Sequence, residues 1–366
     1  MKRLFFVLAL STLISCDRPQ YSDAPRAPAG AVAVEARLTK IADVPEGPHS
    51  YSLECVDHTV CGVSDAGKLW TTDDGGKHWS LIYSNEHNGE AIATVRFIDS
   101  QKAWLLTSNK IYRSQVGKDS IEEARPLPGA GEVSSIEFLE NGNVGWVGGG
   151  VYRPVKQEEV ARGLPNNVYD VQSQSVLQSA LARTNDGGKT WVQQKLPPVL
   201  GRVLGLKFVN ESHGLAITSG GIFVTTDGGD QWQPVSFKRE CTDQKYLEGY
   251  DGRPLQSFFV DEKNVWLSWD DGRITKSLDG GKTWCDLVTA GSIKFNHYDA
   301  YFKEIAFVEA NHGIGLGANR LVYETTDGGK TWSQTLNTQF DDMNMVDKNT
   351  VWLISKLGLF QINVVQ

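Results

Sequence analysis

Short apolar runs recur along the chain from about residue 50 onward. One series reads VRFID, IEFLE, LKFVN, SFFVD, IAFVE and MNMVD. After a short turn a second series follows: AWLLTS, VGWVGG, GLAITS, VWLSW, GIGLGA and VWLIS. A third run then ends in a polar Gly-Gly corner, and a fourth opens on a tryptophan. Period-two alternation and the β-branched and aromatic content of these runs predict strands throughout. Four strands repeated every ~40–50 residues predict the blades of a β-propeller.

The corner itself repeats. Thr72-Asp73-Asp74-Gly75-Gly76-Lys77-His78-Trp79 is echoed at 184–191, 225–232, 277–284 and 325–332, giving five copies of S/T-x-D-G-G-x-x-W. A hairpin must reverse within a few residues, and Gly-Gly supplies positive φ at little steric cost. The aspartates (Asp74, Asp186, Asp227, Asp279, Asp327) and the hydroxyls before them can bond backbone N–H groups inside the turn. The tryptophans (Trp79, Trp191, Trp232, Trp284, Trp332) can wedge between neighbouring sheets, and each ring N–H needs a partner. The motif therefore reads as a folding device and not as a catalytic or metal centre. A degenerate copy at 111–118 carries Val116 where the aspartate belongs.

Counting the frames gives seven blades, starting near Tyr51, Ala93, Val133, Val203, Leu255, Phe302 and Phe340. The last blade has three strands and no corner motif. Val34–Lys40 alternates suitably to supply its fourth, which would close the ring and remove open sheet edges. The fold class is therefore all-β, a seven-bladed propeller of four-stranded antiparallel blades closed by an N-terminal strand.

Ahead of it, Met1-Lys2-Arg3 and the apolar run from Leu4 to Ile14 form a secretory signal. The run is too short to span a bilayer. It ends at Ser15-Cys16, which resembles a bacterial lipobox whose cysteine takes a diacylglycerol. The expected division is 1–15 signal peptide, 16–32 lipidated Pro- and Ala-rich tether, and 33–366 propeller. The lipid places the chain on the bacterial envelope facing the periplasm, and Asp17 resembles an inner-membrane retention signal.

Composition narrows the partners. Once Lys2 and Arg3 are removed, 34 basic residues face 44 acidic ones. A net acidic surface argues against nucleic acid as a partner, since such binding rests on Lys and Arg neutralising phosphates. Four cysteines remain after Cys16: Cys55, Cys61, Cys241 and Cys285. An even number in an exported chain suggests disulfides. Three pairings are open; Cys55 and Cys61 flank a short turn and could bridge neighbouring strands, leaving Cys241 with Cys285. No CxxC spacing accompanies them, so no metal site is read here, and no cofactor motif is read anywhere.

The corner motifs fall in third-to-fourth turns and share one face, the lower one. Second-to-third turns and blade-to-blade links fall on the upper face. The long segments 155–180, 239–254 and 289–301 all map there, on blades three to six, and long loops in a compact repeat are often functional. They bring Tyr169, Tyr246, Tyr250, Arg253, His297, Tyr298 and Tyr301. Nearby short turns add Arg153, Trp269, Asp270, Asp271, Asn319 and Arg320. Tyrosine, tryptophan and arginine anchor protein interfaces, and aromatics also stack on sugars.

The corner motif resembles the Asp-box, or bacterial neuraminidase repeat. The whole blade frame over residues 50–366 resembles the photosystem II assembly and stability factor family, single-domain seven-bladed propellers that hold membrane-protein intermediates. The resemblance implies a non-enzymatic binding protein with a protein partner, possible membrane complexes included. The alternative is a sialidase-like glycoside hydrolase acting on glycans. That reading needs three converging arginines, a Tyr–Glu pair, an acid aspartate and an Arg-Ile-Pro segment before the first Asp-box. No such set is apparent: Arg153-Pro154 and Arg253-Pro254 follow the first box and lack the isoleucine. A scaffold that binds by its blade sides is a third reading.

Overall fold

A computed structural model describes residues 38–46, 51–65, 67–87, 90–99, 101–107, 110–115, 121–127, 132–140, 142–154, 156, 169–170, 175–197, 201–238, 253–287 and 301–364. They form seven antiparallel sheets arranged as a propeller. The inner strands, one per blade in order, are Ser52–Cys55, Ile92–Asp99, Glu132–Phe138, Val203–Phe208, Pro254–Phe259, Phe302–Phe307 and Asp342–Asp347. Each packs beside the next, and the seventh packs beside the first, so the ring is closed.

Closure uses the N-terminal strand. Leu38–Ala42 pairs antiparallel with Gly358–Asn363, with Leu38 opposite Ile362 and Ala42 beside Leu359. The strand ends two residues later than Val34–Lys40 implied, and residues 34–37 lie outside the described residues. Blade three also departs from the simple frame. Its second and third strands continue as a long hairpin, Gly145–Pro154 with Ser175–Thr184. Residues 175–180, read from sequence as part of the inserted loop, are therefore strand, and Tyr169–Asp170 adds a short pairing against it. Blade five carries a fifth strand. Ser236–Lys238, leaving blade four, runs parallel to the outer strand Thr283–Leu287.

The described apolar core is divided into seven clusters, each spanning one seam between adjacent blades. This explains why the second strands read as unbroken apolar runs. In blade two, Ala103 and Leu105 face blade one, whereas Trp104 and Leu106 face blade three. A strand buried on both faces has no solvated side to mark with polar residues.

An aromatic trio recurs at three seams. A second-strand tryptophan meets the inner-strand phenylalanine of the next blade, and the Asp-box tryptophan stands edge-on. The trios are Trp104–Phe138–Trp191, Trp146–Phe208–Trp232 and Trp266–Phe307–Trp332. Trp146 and Trp266 also donate their ring N–H to the carbonyls of Gly228 and Gly328 in the next blade's box, at 2.9 and 3.0 Å.

The boxes are self-contained. In blade six Thr325 Oγ1 donates to Asp327 Oδ1 and accepts from the Gly329 N–H, both at 2.9 Å. Asp327 in turn accepts from the backbone and hydroxyl of Thr331, at 2.9 and 2.7 Å. Gly328 and Gly329 hold φ of 77° and 93°, where a Cβ would be strained. The same backbone bonds form around Asp74, Asp186, Asp227 and Asp279. The box tryptophans Trp232, Trp284 and Trp332 donate to the second glycine carbonyl of their own box. Trp79 donates instead to Asp43 O, beside the closing strand, at 3.0 Å.

Cys55 and Cys61 lie opposite each other in the first hairpin, with Cα atoms 4.1 Å apart, and form a disulfide. Cys285 is disulfide-bonded as well. Cys241 and Cys16 lie outside the described residues.

Candidate functional site

Those residues singled out from sequence that lie among the described ones occupy different environments. Arg253 extends into solvent with its side chain 84% exposed, steadied by Asp270 through its backbone N–H (2.6 Å) and Nε (3.0 Å). Arg153 donates to Gln178 Oε1 and to the Pro154 carbonyl at the head of the blade-three hairpin. Arg320 adopts φ 69° in its turn, and its Nη2 lies 2.5 Å from Asp341. Tyr301 is half-buried, and its carbonyl accepts the Ala318 N–H.

Trp269 and Asp271 are not presented to solvent. The Trp269 ring is 7% exposed, donates to Thr275 Oγ1 at 3.1 Å, and lies under the Arg273 guanidinium at 4.7 Å. Asp271 Oδ2 is 2.6 Å from Arg273 Nε. These two residues brace the turn that displays Asp270 and Arg253. Tyr169 is placed by its backbone pairing with Val176. Tyr246, Tyr250, His297 and Tyr298 lie outside the described residues.

The structure adds a feature not foreseen from sequence: a channel of about 490 Å³ bounded by the inner strands of all seven blades. Alternate residues of each inner strand point the same way, so the wall is built in two layers. The lower layer carries Glu54, Arg96, Glu137 and Lys207 on blades one to four. Their charges alternate in sign. Arg96 lies 2.5 Å from Glu54 and 3.4 Å from Glu137, and Lys207 lies 2.6 Å from Glu137. Around the rest of this layer stand Phe258, Ala306 and Asn344. Burial pushes the Glu54 carboxyl up, against the pull of Arg96; the Glu54 carboxylate holds the Arg96 guanidinium above its ordinary range.

Two residues earlier in each strand, the upper layer is oxygen-rich: Ser52, Thr94, Ser135, Gln256, Glu304 and Asp342. Asp342 joins three blades. Its carboxylate accepts from the Leu53 N–H at 2.9 Å and from Lys303 Nζ at 3.1 Å, and it hydrogen-bonds Glu304. Burial first, and the Asp342 charge second, raise the Glu304 carboxyl well above its usual range. Gln256 Oε1 accepts the Ile305 N–H across the seam between blades five and six.

Five inner strands carry a β-bulge near their upper ends, in blades two to six. The residues so displaced include Leu204 and Leu255, which are 39% and 43% exposed and line the channel mouth. Tyr152, half exposed, stands on the neighbouring hairpin. The sequence did carry a signal for the lower layer. Arg96, Glu137 and Lys207 interrupt otherwise apolar inner-strand runs, and a charge in such a run must find partners. Only the closed ring shows that the partners are one another.

The fold and these two surfaces define an Asp-box propeller with a polar central channel. Residues 293–353, spanning the entry to blade six through the second strand of blade seven, match the family described as photosynthesis system II assembly factor YCF48. The chain is 64% identical over 31 residues to the photosystem II assembly lipoprotein Ycf48 of Prochlorococcus marinus, covering 8% of this chain and 9% of that protein. It is 32% identical over 108 residues to the chloroplastic photosystem II stability/assembly factor HCF136 of Guillardia theta, covering 30% of this chain and 25% of the relative. The alignments thus span a quarter or less of these relatives' lengths. Among solved structures, YCF48 bound to a D1 peptide superposes with TM-score 0.57 at 18% identity, covering 89% of this chain and 100% of that one. Over these segments and in its fold, the chain is similar to photosystem II assembly factors of the BNR-propeller type.

Proposed function

We propose that this protein is a non-enzymatic, lipid-anchored propeller that binds a protein partner on its upper face, the partner being a membrane-protein complex or its intermediate. The observation that carries the reading is the family match over residues 293–353, because that segment builds the upper-face turn of Arg320 and the inner strands bearing Glu304 and Asp342. Similar proteins are named as photosystem II assembly factors, and one was solved with a bound D1 peptide. The upper-face carboxylates Asp270, Asp271 and Asp341 each pair with an arginine, an arrangement suited to presenting guanidinium groups more than to acid catalysis. Cys16 and the tether through residue 32 hold the ring to the periplasmic side of the inner membrane.

Crosslinked pull-down of the lipidated protein from native membranes tests this reading. A reproducible membrane-protein partner, diminished by Arg253→Glu or Arg320→Glu, is the expected result. Glycan hydrolysis by the purified protein, abolished by changing an upper-face carboxylate, would replace the binding reading with the hydrolase one.

A further inference from the structure

We propose that the oxygen-rich upper layer of the central channel is a binding site for an alkylammonium group, the head of a lysine side chain entering from the upper face. It rests on the preceding reading only in taking the bearer of that lysine to be a protein.

Three features of the wall converge on this chemistry. First, the layer presents carboxyl and hydroxyl oxygens from five blades, with Glu304 and Asp342 adjacent, while the Gln256 oxygen is already taken by the Ile305 N–H. An ammonium group has three N–H donors and no acceptor, which suits a ring of acceptors. Second, the layer beneath is a floor of fixed charge. Arg96 and Lys207 are already paired with Glu54 and Glu137, so a cation gains nothing by descending past them. Third, Leu204 and Leu255 stand exposed in the same cavity at its mouth, where an aliphatic stem would pass. Among the described residues no group of three or more His, Cys, Asp or Glu side chains is arranged to hold a metal ion, so the organic cation is the better match.

The charges balance through one proton. With Glu304 protonated, Lys303 answers Asp342 and the upper layer is neutral. Burial and the neighbouring carboxylate both favour that protonated state. When an ammonium group enters, the Glu304 O–H bond breaks, its proton passes to solvent, and N–H···O bonds form to both carboxylates. The groups facing Glu304 in this exchange are Lys303, Asp342 and, across the channel, Glu54 with its partner Arg96.

Calorimetric titration of the full chain in detergent tests this, with N-acetyl-lysine methylamide as the probe at pH 7. The lysyl probe is expected to bind with proton release, seen as a heat that varies with the ionisation enthalpy of the buffer. Glu304→Gln is expected to weaken binding at least about tenfold, since it removes a charged hydrogen bond. Leu255→Ala is expected to weaken it more modestly, and a single cooperative thermal transition in either variant confirms the fold. A probe that binds more tightly than n-butylamine supports a polypeptide side chain as the source. The proposal is overturned by equal binding of N-acetyl-norleucine methylamide, by no binding at millimolar probe, by preference for n-butylamine, or by displacement with equimolar calcium. Any of these leaves the upper-face pull-down result intact, so the two readings fail separately.

Discussion

At the scale of single residues, the Asp-box aspartates show how a short polar side chain replaces missing backbone partners. Asp327 gathers two N–H or O–H donors from Thr331 and one from Thr325. Burial raises its carboxyl, but those hydrogen bonds outweigh burial and hold it below the ordinary range, as they do for Asp279. Hydrogen bonds from Thr190 hold Asp186 at about 2. Stability from such lowered groups is present above the unfolded carboxylate value and is lost as pH falls through the folded one. Asp327→Ala should therefore cost about 1–2 kcal/mol of unfolding free energy, measured by urea titration, with partner capture unchanged. Loss of partner capture without loss of stability would place the boxes in recognition instead.

The opposite sign holds in the channel. Glu304 and Glu54 have carboxyls raised by burial. Their contribution is fully present below the unfolded glutamate value and is lost as pH rises through the folded one. Stability should fall as pH is raised above the unfolded glutamate value in urea titrations, and Glu304→Gln should flatten that slope. A variant that keeps the full slope would assign the pH dependence to other groups.

Between residue and molecule stands the blade seam. The second-strand tryptophan belongs to one blade, yet it stacks on the next blade's phenylalanine and bonds that blade's box carbonyl. Trp266 lies 4.0 Å from Phe307, centroid to centroid, and is fully buried. Trp266→Ala should cost about 3–5 kcal/mol. Trp266→Phe keeps most of the stacking and loses the bond to Gly328 O, so the cost should drop to about 1–2 kcal/mol. Near-equal costs, read from denaturant midpoints, would show that the hydrogen bond and not the ring area dominates the seam. This level also shows what was legible in advance. Trp266 stood out in VWLSW, and the repeat fixed its strand, its blade and the number of blades, because alternation and corner residues are local signals. Its partner in the next blade was not legible, since nothing local records which residues meet across a seam. Trp269, three residues on, illustrates the same limit at the candidate site. Its place on the upper-face side was readable from the turn order, but its burial under Arg273 and Phe237 depends on a strand arriving from blade four. The channel charges were visible only as oddities in apolar runs, because a salt-bridge belt has no sequence period of its own.

For the whole molecule, the decisive physical feature is that the seventh blade has its fourth strand only while both chain ends meet. The seventh blade draws three strands from one end of the ring and its fourth from Leu38–Ala42. That strand covers Leu359 and Ile362, which are fully buried and belong to the seams with blades one and six. The inner side of the same junction is tied by Asp342 to Leu53, so closure is made twice, outside by a strand ladder and inside by a carboxylate. Removing residues 33–46 takes away the outer tie, together with the Asp43 and Pro45 carbonyls that accept from Trp79 and Tyr51, and leaves the inner one. The shortened protein should unfold about 5 °C lower, because stability losses of a few kcal/mol translate into shifts of this size in a chain of this length. It should also associate through the bared edge of Gly358–Asn363. A synthetic peptide of residues 33–46, added in excess, should raise the midpoint again and return the protein to monomer in light scattering, since binding to the folded state alone stabilises it by mass action. An unchanged midpoint after truncation would mean that the inner tie through Asp342 holds the ring without the strand, and Asp342→Asn in the truncated background would then have to open it.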